Sequence, residues 1–259
     1  MRIEFIGLPG SGKTTIRQAL LSKFKKNGAA NYQSAEEAYY RRMKSDGDKI
    51  YRYILNVLPY EVGLNISKWI QGRSLFQLEA QNVFLAVHGQ ALSAFLNSTV
   101  FEKMSIQDKQ NVIGNFLAMG SVWGVLDTPD CSELKIFFEE GFVQKSFMFV
   151  DHNYCYSSIK KNLHEYFMNI PLPELVIHVK TGVSQSHQRM LSRKDGLTNR
   201  LKGSSDSKID QFLNQADEHI SHVIHELSTQ ENCDVIEVIN DGPLEKVIDS
   251  ALEKLNNNF

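Results

Sequence analysis

Eight residues near the start of the chain have the types and spacing needed to bind phosphate groups. The pattern GxxxxGK(S/T) is matched in full by Gly7, Leu8, Pro9, Gly10, Ser11, Gly12, Lys13 and Thr14. Glycines allow successive backbone N–H groups to turn inward as an anion-binding nest, and a helix N-terminus adds partial positive charge. The lysine reaches the β- and γ-phosphates, and the threonine hydroxyl ligates Mg²⁺. The motif therefore predicts a nucleoside triphosphate site.

The following residue, Thr15, extends this site and is expected to contact the α-phosphate. In this loop, the residues expected to bind the nucleotide are Gly7, Pro9, Gly10, Ser11, Gly12, Lys13, Thr14 and Thr15. The alternative interpretation is a glycine-rich turn with an accidental Lys-Thr pair. The complete match argues against it, as does the position between a predicted strand and a predicted helix, which is the context the motif requires.

The elements that must position this loop follow from apolar patterning. Residues 2–6 read as a strand, and residues 13–26 have apolar side chains at helical spacing up to Asn27-Gly28. Further strands are predicted at 29–33, 134–138, 175–179 and 234–239, with helices between them. Short apolar strands alternating with helices are typical of a parallel sheet covered on both faces. We therefore expect a three-layer α/β/α fold with about five parallel strands.

Residues 48–126 are predicted to be mostly helical, with breaks near Pro59, Gly72 and 97–99. They contain no alternating strand pattern, and no linker rich in Pro, Gly or Ser separates them from the rest. We interpret this block as a helical insertion within a single domain spanning 1–259.

Because of the motif at residues 7–14, the chain resembles the P-loop NTPases. Within them it is similar to the nucleoside and nucleotide kinases of the thymidylate kinase-like and deoxynucleoside kinase-like group. The resemblance is specific in residues 1–45, which contain the motif. In residues 134–255 it rests on the pattern of strands and helices. It implies a P-loop kinase fold and Mg²⁺- and ATP-dependent phosphoryl transfer to a small-molecule acceptor, such as a nucleoside, a nucleotide or a similar metabolite.

An acidic pair, Glu139-Glu140, follows the predicted strand at 134–138. In the resembling kinases this strand ends in an acidic residue that acts on Mg²⁺, its waters or the acceptor. The resemblance thus implies Glu139 as a metal residue beside Thr14, with Glu140 as the alternative. The kinases often carry an arginine directly after the acidic residue, and this sequence does not. Two solvated glutamates at a strand end are the other interpretation.

A basic helix and loop at 184–207 occupy the place of the kinase lid. Arg189 and Arg193 are four residues apart and share a helix face, and Lys194 and Arg200 follow. In the resembling kinases, lid arginines stabilise the transferring phosphoryl group and the lid excludes water. The alternative is a solvated basic helix.

Two further positions follow from the resemblance. Glu36 or Glu37, after the second strand, would take the proton of the acceptor hydroxyl, although Ser34 and Glu37 also fit a helix capping box. Asn240, after the last strand, would border the base of the nucleotide.

Composition sets the remaining limits. The chain has 259 residues, 28 Lys+Arg against 30 Asp+Glu, a net charge of −2 and 42% hydrophobic residues. These values are ordinary for a soluble globular protein. The net charge disfavours a nucleic-acid partner, because proteins that bind nucleic acids are usually basic. The three cysteines form no CxxC pair, which favours a reducing compartment. Without a predicted signal peptide or membrane span, we expect a cytoplasmic protein with no membrane partner.

Other functions stay open at this point. A P-loop ATPase or nucleotide-dependent switch acting on a protein partner would share the motif, and so would a nucleic-acid end kinase. A GTPase is disfavoured because the NKxD motif is missing from the sequence. The acceptor and the choice between a monomer and a homodimer are not encoded in any motif that we can identify.

Overall fold

The computed structural model describes residues 1–69, 75–150, 154–193, 197 and 201–257. Five strands form one sheet, and every pairing in it is parallel. The strands are β1 (Arg2–Ile6), β2 (Tyr32–Ser34), β3 (Lys135–Phe138), β4 (Leu175–Lys180) and β5 (Asp234–Ile239), in the order β2-β3-β1-β4-β5. Because β1 is central, the loop that follows it lies in the middle of the carboxyl edge of the sheet.

Helices cover both faces of the sheet. They are α1 (Lys13–Lys26), α2 (Ala35–Asp46), α3 (Lys49–Val57), α4 (Tyr60–Trp69), α5 (Leu75–Leu96), α6 (Thr99–Lys103), α7 (Ile106–Leu126), α8 (Phe142–Lys145), α9 (Tyr156–Asn169), α10 (Val183–Leu191), α11 (Asp206–Ser228) and α12 (Leu244–Asn257). Short 3₁₀ turns span Pro129–Cys131 and Ser146–Phe149. The predicted three-layer α/β/α fold with five parallel strands is confirmed.

Successive side chains of β1 point to opposite faces of the sheet and so pack against different layers of helices. Ile3 and Phe5 pack against α1 and α12, whereas Ile6 belongs to the core formed with α2, α7, α9 and α11. Glu4 shares the face of Ile6 and is fully buried. Its carboxylate accepts hydrogen bonds from the backbone N–H groups of Phe142 and Val143, at 3.0 and 2.8 Å. This carboxylate therefore satisfies two of the free N–H groups at the start of α8.

Residues 142–168, which follow β3, do not form one continuous helix. Helix α8 ends at Lys145, the 3₁₀ turn Ser146–Phe149 follows, and α9 begins at Tyr156. The Ser146 hydroxyl donates to the Val143 carbonyl at 2.7 Å and also contacts the buried ring of His219. A side chain that bonds the preceding backbone competes with regular helix hydrogen bonds, so the chain turns here.

The described residues of the insertion at 48–126 form helices α3 to α7. It breaks at Pro59 and at 97–98, and it has a further break at 104–105; the break predicted near Gly72 lies outside the described residues. Ser98 and Ser105 cap the new helices, because their hydroxyls accept the N–H groups of Phe101 and Asp108.

Helices α5 and α7 of the insertion pack closely on each other and on the sheet. A Cβ on Gly124 would lie 2.7 Å from the Ala80 carbonyl oxygen, so the two helix backbones are nearly in contact. Phe84 stacks on Phe142 at a centroid distance of 5.1 Å, and Trp123 packs against Phe138 at 5.2 Å. The insertion thus shares its core with the end of β3. None of the described helices has both the length and the apolar character needed to cross a membrane.

Candidate active site

The loop between β1 and α1 has the conformation of an anion-binding nest. Gly10 and Gly12 have φ values of 90° and 91°, in the left-handed region that favours glycine. A Cβ on Gly10 would overlap the Ser186 carbonyl of α10, and one on Gly12 would overlap the Asn240 side chain. Glycine is therefore required at both positions by backbone angle and by close packing.

Side chains from three neighbouring segments hold this loop in place. The Ser11 carbonyl accepts hydrogen bonds from Asn240 Nδ2 at 2.6 Å and from Thr181 Oγ1 at 3.3 Å. The Gly7 N–H donates to Gln144 Oε1 at 3.1 Å. Thr181 and Gln144 were missed by sequence reasoning, although each lies within a few residues of a strand's carboxyl end. These hydrogen bonds hold the loop in its nest conformation.

The Lys13 side chain turns back onto the loop. Its ammonium donates to the Gly7 carbonyl at 2.8 Å and to the Leu8 carbonyl at 3.2 Å. Burial lowers the pKa of Lys13 to about 8, and the negative charges of Glu140 and Glu139 oppose that shift. A cation held by carbonyl groups alone is available to a phosphate that offers stronger, charged acceptors.

A chain of polar contacts leads from Thr14 across the site. The Thr14 hydroxyl donates to Glu139 Oε1. The Arg17 guanidinium donates from Nη2 to Glu139 Oε2 at 2.8 Å and from Nη1 to Glu36 Oε2 at 2.9 Å. Thr14 and Glu139 are therefore in direct contact, and Glu36 is joined to Glu139 through Arg17, which the sequence reasoning missed. Arg17 follows Lys13 by four residues, so a helical-wheel argument could have found it.

The two candidate acceptor carboxylates are separated by their contacts. Glu37 completes the predicted capping box with Ser34 and pairs with Lys25 Nζ at 2.5 Å. Glu36 instead turns toward Arg17. Burial raises the pKa of Glu36, but the Arg17 charge and hydrogen bonds outweigh burial and the pKa lies below its ordinary value. Glu36 is thus the ionised carboxylate that points into the site.

Glu140 faces a different set of charges from Glu139. It pairs with Lys145 at 3.0 Å. Burial raises its pKa, but the charges of Lys145, Lys13 and Arg193 outweigh burial and lower it. Both carboxylates act on the Lys13 charge, with Glu140 contributing more, and Glu139 also contacts the Thr14 hydroxyl.

The predicted lid contributes one arginine to the loop itself. Arg189 of α10 donates from Nη2 to the Asn240 carbonyl at 3.1 Å. Its Nη1 is buried near Gly12 and has no hydrogen-bond partner among the described residues. Arg193 is exposed but close enough to affect the Lys13 charge. Within the predicted lid region at 184–207, Lys194 and Arg200 lie outside the described residues.

A pocket of about 560 Å³ adjoins this chain of contacts. It lies between α1, the start of α2 and α4, and Arg17 and Glu36 form part of its wall. Its lining also includes Gln18, Leu21, Ser22, Lys25, Lys26, Ser34, Glu37 and Leu64. Most of these side chains are charged or polar, and the pocket has enough room for a small metabolite.

The residues present fit a magnesium nucleotide. The Thr14 hydroxyl and the Glu139 carboxylate are adjacent hard oxygen donors, which Mg²⁺ prefers. A triphosphate would give the unpartnered Arg189 Nη1 an anionic acceptor, and the glycine cradle leaves room for it.

Neither a protein-family model nor a curated protein matches the sequence. Among solved structures, the chain is similar to deoxyadenosine kinase from M. mycoides with bound dCMP and a flexible dCDP, at a TM-score of 0.43 and 13% identity over 100% of both chains. The same enzyme with bound dATP gives 0.43 and 13% over 99% of this chain and 100% of that one. Shikimate kinase from Bacteroides thetaiotaomicron gives 0.43 and 12% over 99% and 98%. Similarity at this level does not assign a function, which must come from the chemistry of the site.

Proposed function

We propose that this chain is a kinase that transfers a phosphoryl group from Mg²⁺-ATP to a small-molecule acceptor. The observation that supports the proposal is that Glu36 and Glu139 share the Arg17 guanidinium, which would put an acceptor-side carboxylate next to the metal side of the site. Glu36 also lies in the wall of the 560 Å³ pocket, where it would face a bound acceptor. A kinase that phosphorylates a hydroxyl needs such a carboxylate.

Each residue then has a role that follows from its contacts. Lys13 and the loop N–H groups bind the β- and γ-phosphates, and Thr14 and Glu139 would hold Mg²⁺. When bound, the metal would neutralise charge on the phosphates. Arg189 and Arg193 would stabilise the negative charge of the transferring group.

The acceptor oxygen attacks the γ-phosphorus, the bond from that phosphorus to the β–γ bridging oxygen breaks, and ADP leaves with the electron pair. Glu36 accepts the proton of the acceptor hydroxyl. A carboxylate is suited to this role only while it is ionised, and the Arg17 charge favours that state.

Acceptor-dependent ADP release is the test of this proposal. ADP formation would be measured with and without a panel of nucleosides, nucleotides, sugars and hydroxy acids. We expect turnover that rises with one acceptor class and is abolished in Lys13→Ala, with Lys23→Ala as the matched control. Lys23 lies on the same helix but pairs with Asp249 at the surface, at 2.5 Å.

Three results would overturn the assignment. Turnover that is independent of any acceptor would indicate an ATPase or a nucleotide switch. A response to oligonucleotide ends alone would indicate a nucleic-acid end kinase. Full activity in a folded Lys13→Ala variant would remove the P-loop from the chemistry.

A further inference from the structure

Arg17 is the least exposed cation in the site, at 7% relative accessibility. Its two terminal nitrogens bind different carboxylates, Glu36 at 2.9 Å and Glu139 at 2.8 Å. The two acids come from different elements, since Glu36 begins α2 and Glu139 follows β3. One side chain of α1 therefore sets the relation between two segments that are distant in sequence.

Elementary electrostatics explains why a cation is needed at this point. Two carboxylates bound to one guanidinium lie close enough to repel each other, and the shared cation offsets that repulsion. Arginine also fixes direction, because its planar fork offers separate N–H groups to each partner. A lysine ammonium would supply the charge without that fork.

The fold does not depend on this bridge for its packing. On α1, Ile16, Leu20 and Phe24 supply the apolar contacts to the sheet. A buried ion pair is by itself weak evidence for stability, because desolvation offsets the attraction. The placement of Arg17 is therefore better explained by what it does to the two carboxylates.

We propose that Arg17 is a positioning residue that holds Glu139 beside Thr14 for the metal and Glu36 toward the acceptor, and so links the two halves of the site. This inference rests on the proposed function for the roles of the two carboxylates. Arg17 also supplies a cation next to Glu139 from α1, whereas the resembling kinases often carry an arginine directly after that position.

The first test measures the metal side without catalysis. The affinity for ATP would be determined by calorimetry with Mg²⁺ and with EDTA, in the wild-type protein and in Arg17→Gln. We expect the gain in affinity due to Mg²⁺ to fall by about tenfold, the effect of one lost charged hydrogen bond, while affinity in EDTA changes little. An unchanged Mg²⁺ gain in Arg17→Gln would overturn the proposal.

Arg42→Gln is the matched control. Arg42 also bridges two carboxylates, Asp46 at 2.5 Å and Asp130 at 2.6 Å, outside the site. We expect this variant to leave the gain in ATP affinity due to Mg²⁺ unchanged. A loss in Arg42→Gln would instead show that removing any bridging arginine has a general effect. If Arg17→Gln fails to fold, Arg17→Lys replaces it in the affinity measurement, because lysine keeps the charge and removes the planar fork. It should show a reduced Mg²⁺ gain with the wild-type circular dichroism spectrum.

The second test measures the acceptor side. In Arg17→Gln, burial of Glu36 is no longer outweighed by the guanidinium, so the acidic limb of the kcat profile should move to higher pH. A merely structural role would lower kcat at every pH alike, and that outcome would overturn the link to Glu36. If the wild-type protein phosphorylates no acceptor, the proposed function fails, and the Mg²⁺ gain still decides whether Arg17 positions Glu139.

Discussion

The side-chain amide of Asn240 donates a 2.6 Å hydrogen bond to the Ser11 carbonyl, which ties the end of β5 to the middle of the phosphate-binding loop. The Asn240 backbone carbonyl in turn accepts from Arg189. Asn240 therefore connects the loop to the helix that carries the candidate lid arginine. Its amide nitrogen is engaged with the protein itself, whereas the resemblance implies a contact with the nucleotide base.

We predict that Asn240→Ala weakens the binding of ATP and of GTP by the same factor, about three- to tenfold. The reason is that one hydrogen bond to the loop is lost, which is worth about 1 kcal/mol. Calorimetry with both nucleotides checks it. Asn214→Ala, which removes an amide bonded to the Asp210 carbonyl on α11 at 2.8 Å, is the control. A loss confined to ATP would show that Asn240 reads the base.

Lys13 gives a pH dependence that can be measured without an acceptor. Because burial lowers its pKa to about 8, the ammonium loses its proton just above neutral pH in the free protein. The neutral amine attracts phosphate weakly, so ATP affinity should fall as pH rises from 7 through about 8. Lys13→Arg stays charged in this range and should flatten the dependence. An equally steep fall in Lys13→Arg would assign the titration to another group.

Glu4 should make the protein less stable as pH rises. Burial raises its pKa from 4.5 to about 7, against the backbone hydrogen bonds from Val143 and Phe142 that lower it. Between those values the folded state holds the proton and the unfolded state does not, so the free energy of unfolding decreases toward pH 7. The contribution is on the order of 3 kcal/mol.

Urea unfolding from pH 5 to pH 8 checks this prediction. Glu4→Gln has no proton to release and should show a shallower decline than the wild type. Glu61→Gln, which changes an exposed carboxylate, is the control and should follow the wild-type curve. Parallel curves for Glu4→Gln and the wild type would contradict the assignment.

Two glycines of α7 should respond in opposite directions to alanine. A Cβ on Gly114 would meet no described atom within 4 Å, so Gly114→Ala should stabilise the protein by about 0.5–1 kcal/mol through helix propensity. A Cβ on Gly124 would lie 2.7 Å from the Ala80 carbonyl, so Gly124→Ala must push α5 away and should destabilise by about 1–3 kcal/mol. Urea unfolding of both variants checks this, and effects of the same sign would contradict the close packing of α5 and α7.

Features that depend on neighbouring residues could be predicted from the sequence. β1 and α1 have the predicted bounds, 2–6 and 13–26, because apolar spacing and the Asn27-Gly28 stop are local signals. The Ser34–Glu37 capping box is present for the same reason. The weak second strand lies at Tyr32–Ser34 rather than 29–33, since a short edge strand is set by its pairing with β3.

The tertiary structure alone decided which charged groups meet. Glu36 and Glu37 are adjacent in sequence, yet one faces Arg17 and the other Lys25, because α2 turns them to different sides. Arg17 and Glu139 are 122 residues apart and meet only because β3 pairs with β1. Local sequence carries no information on such contacts. They depend on strand order and on how each helix lies across the sheet.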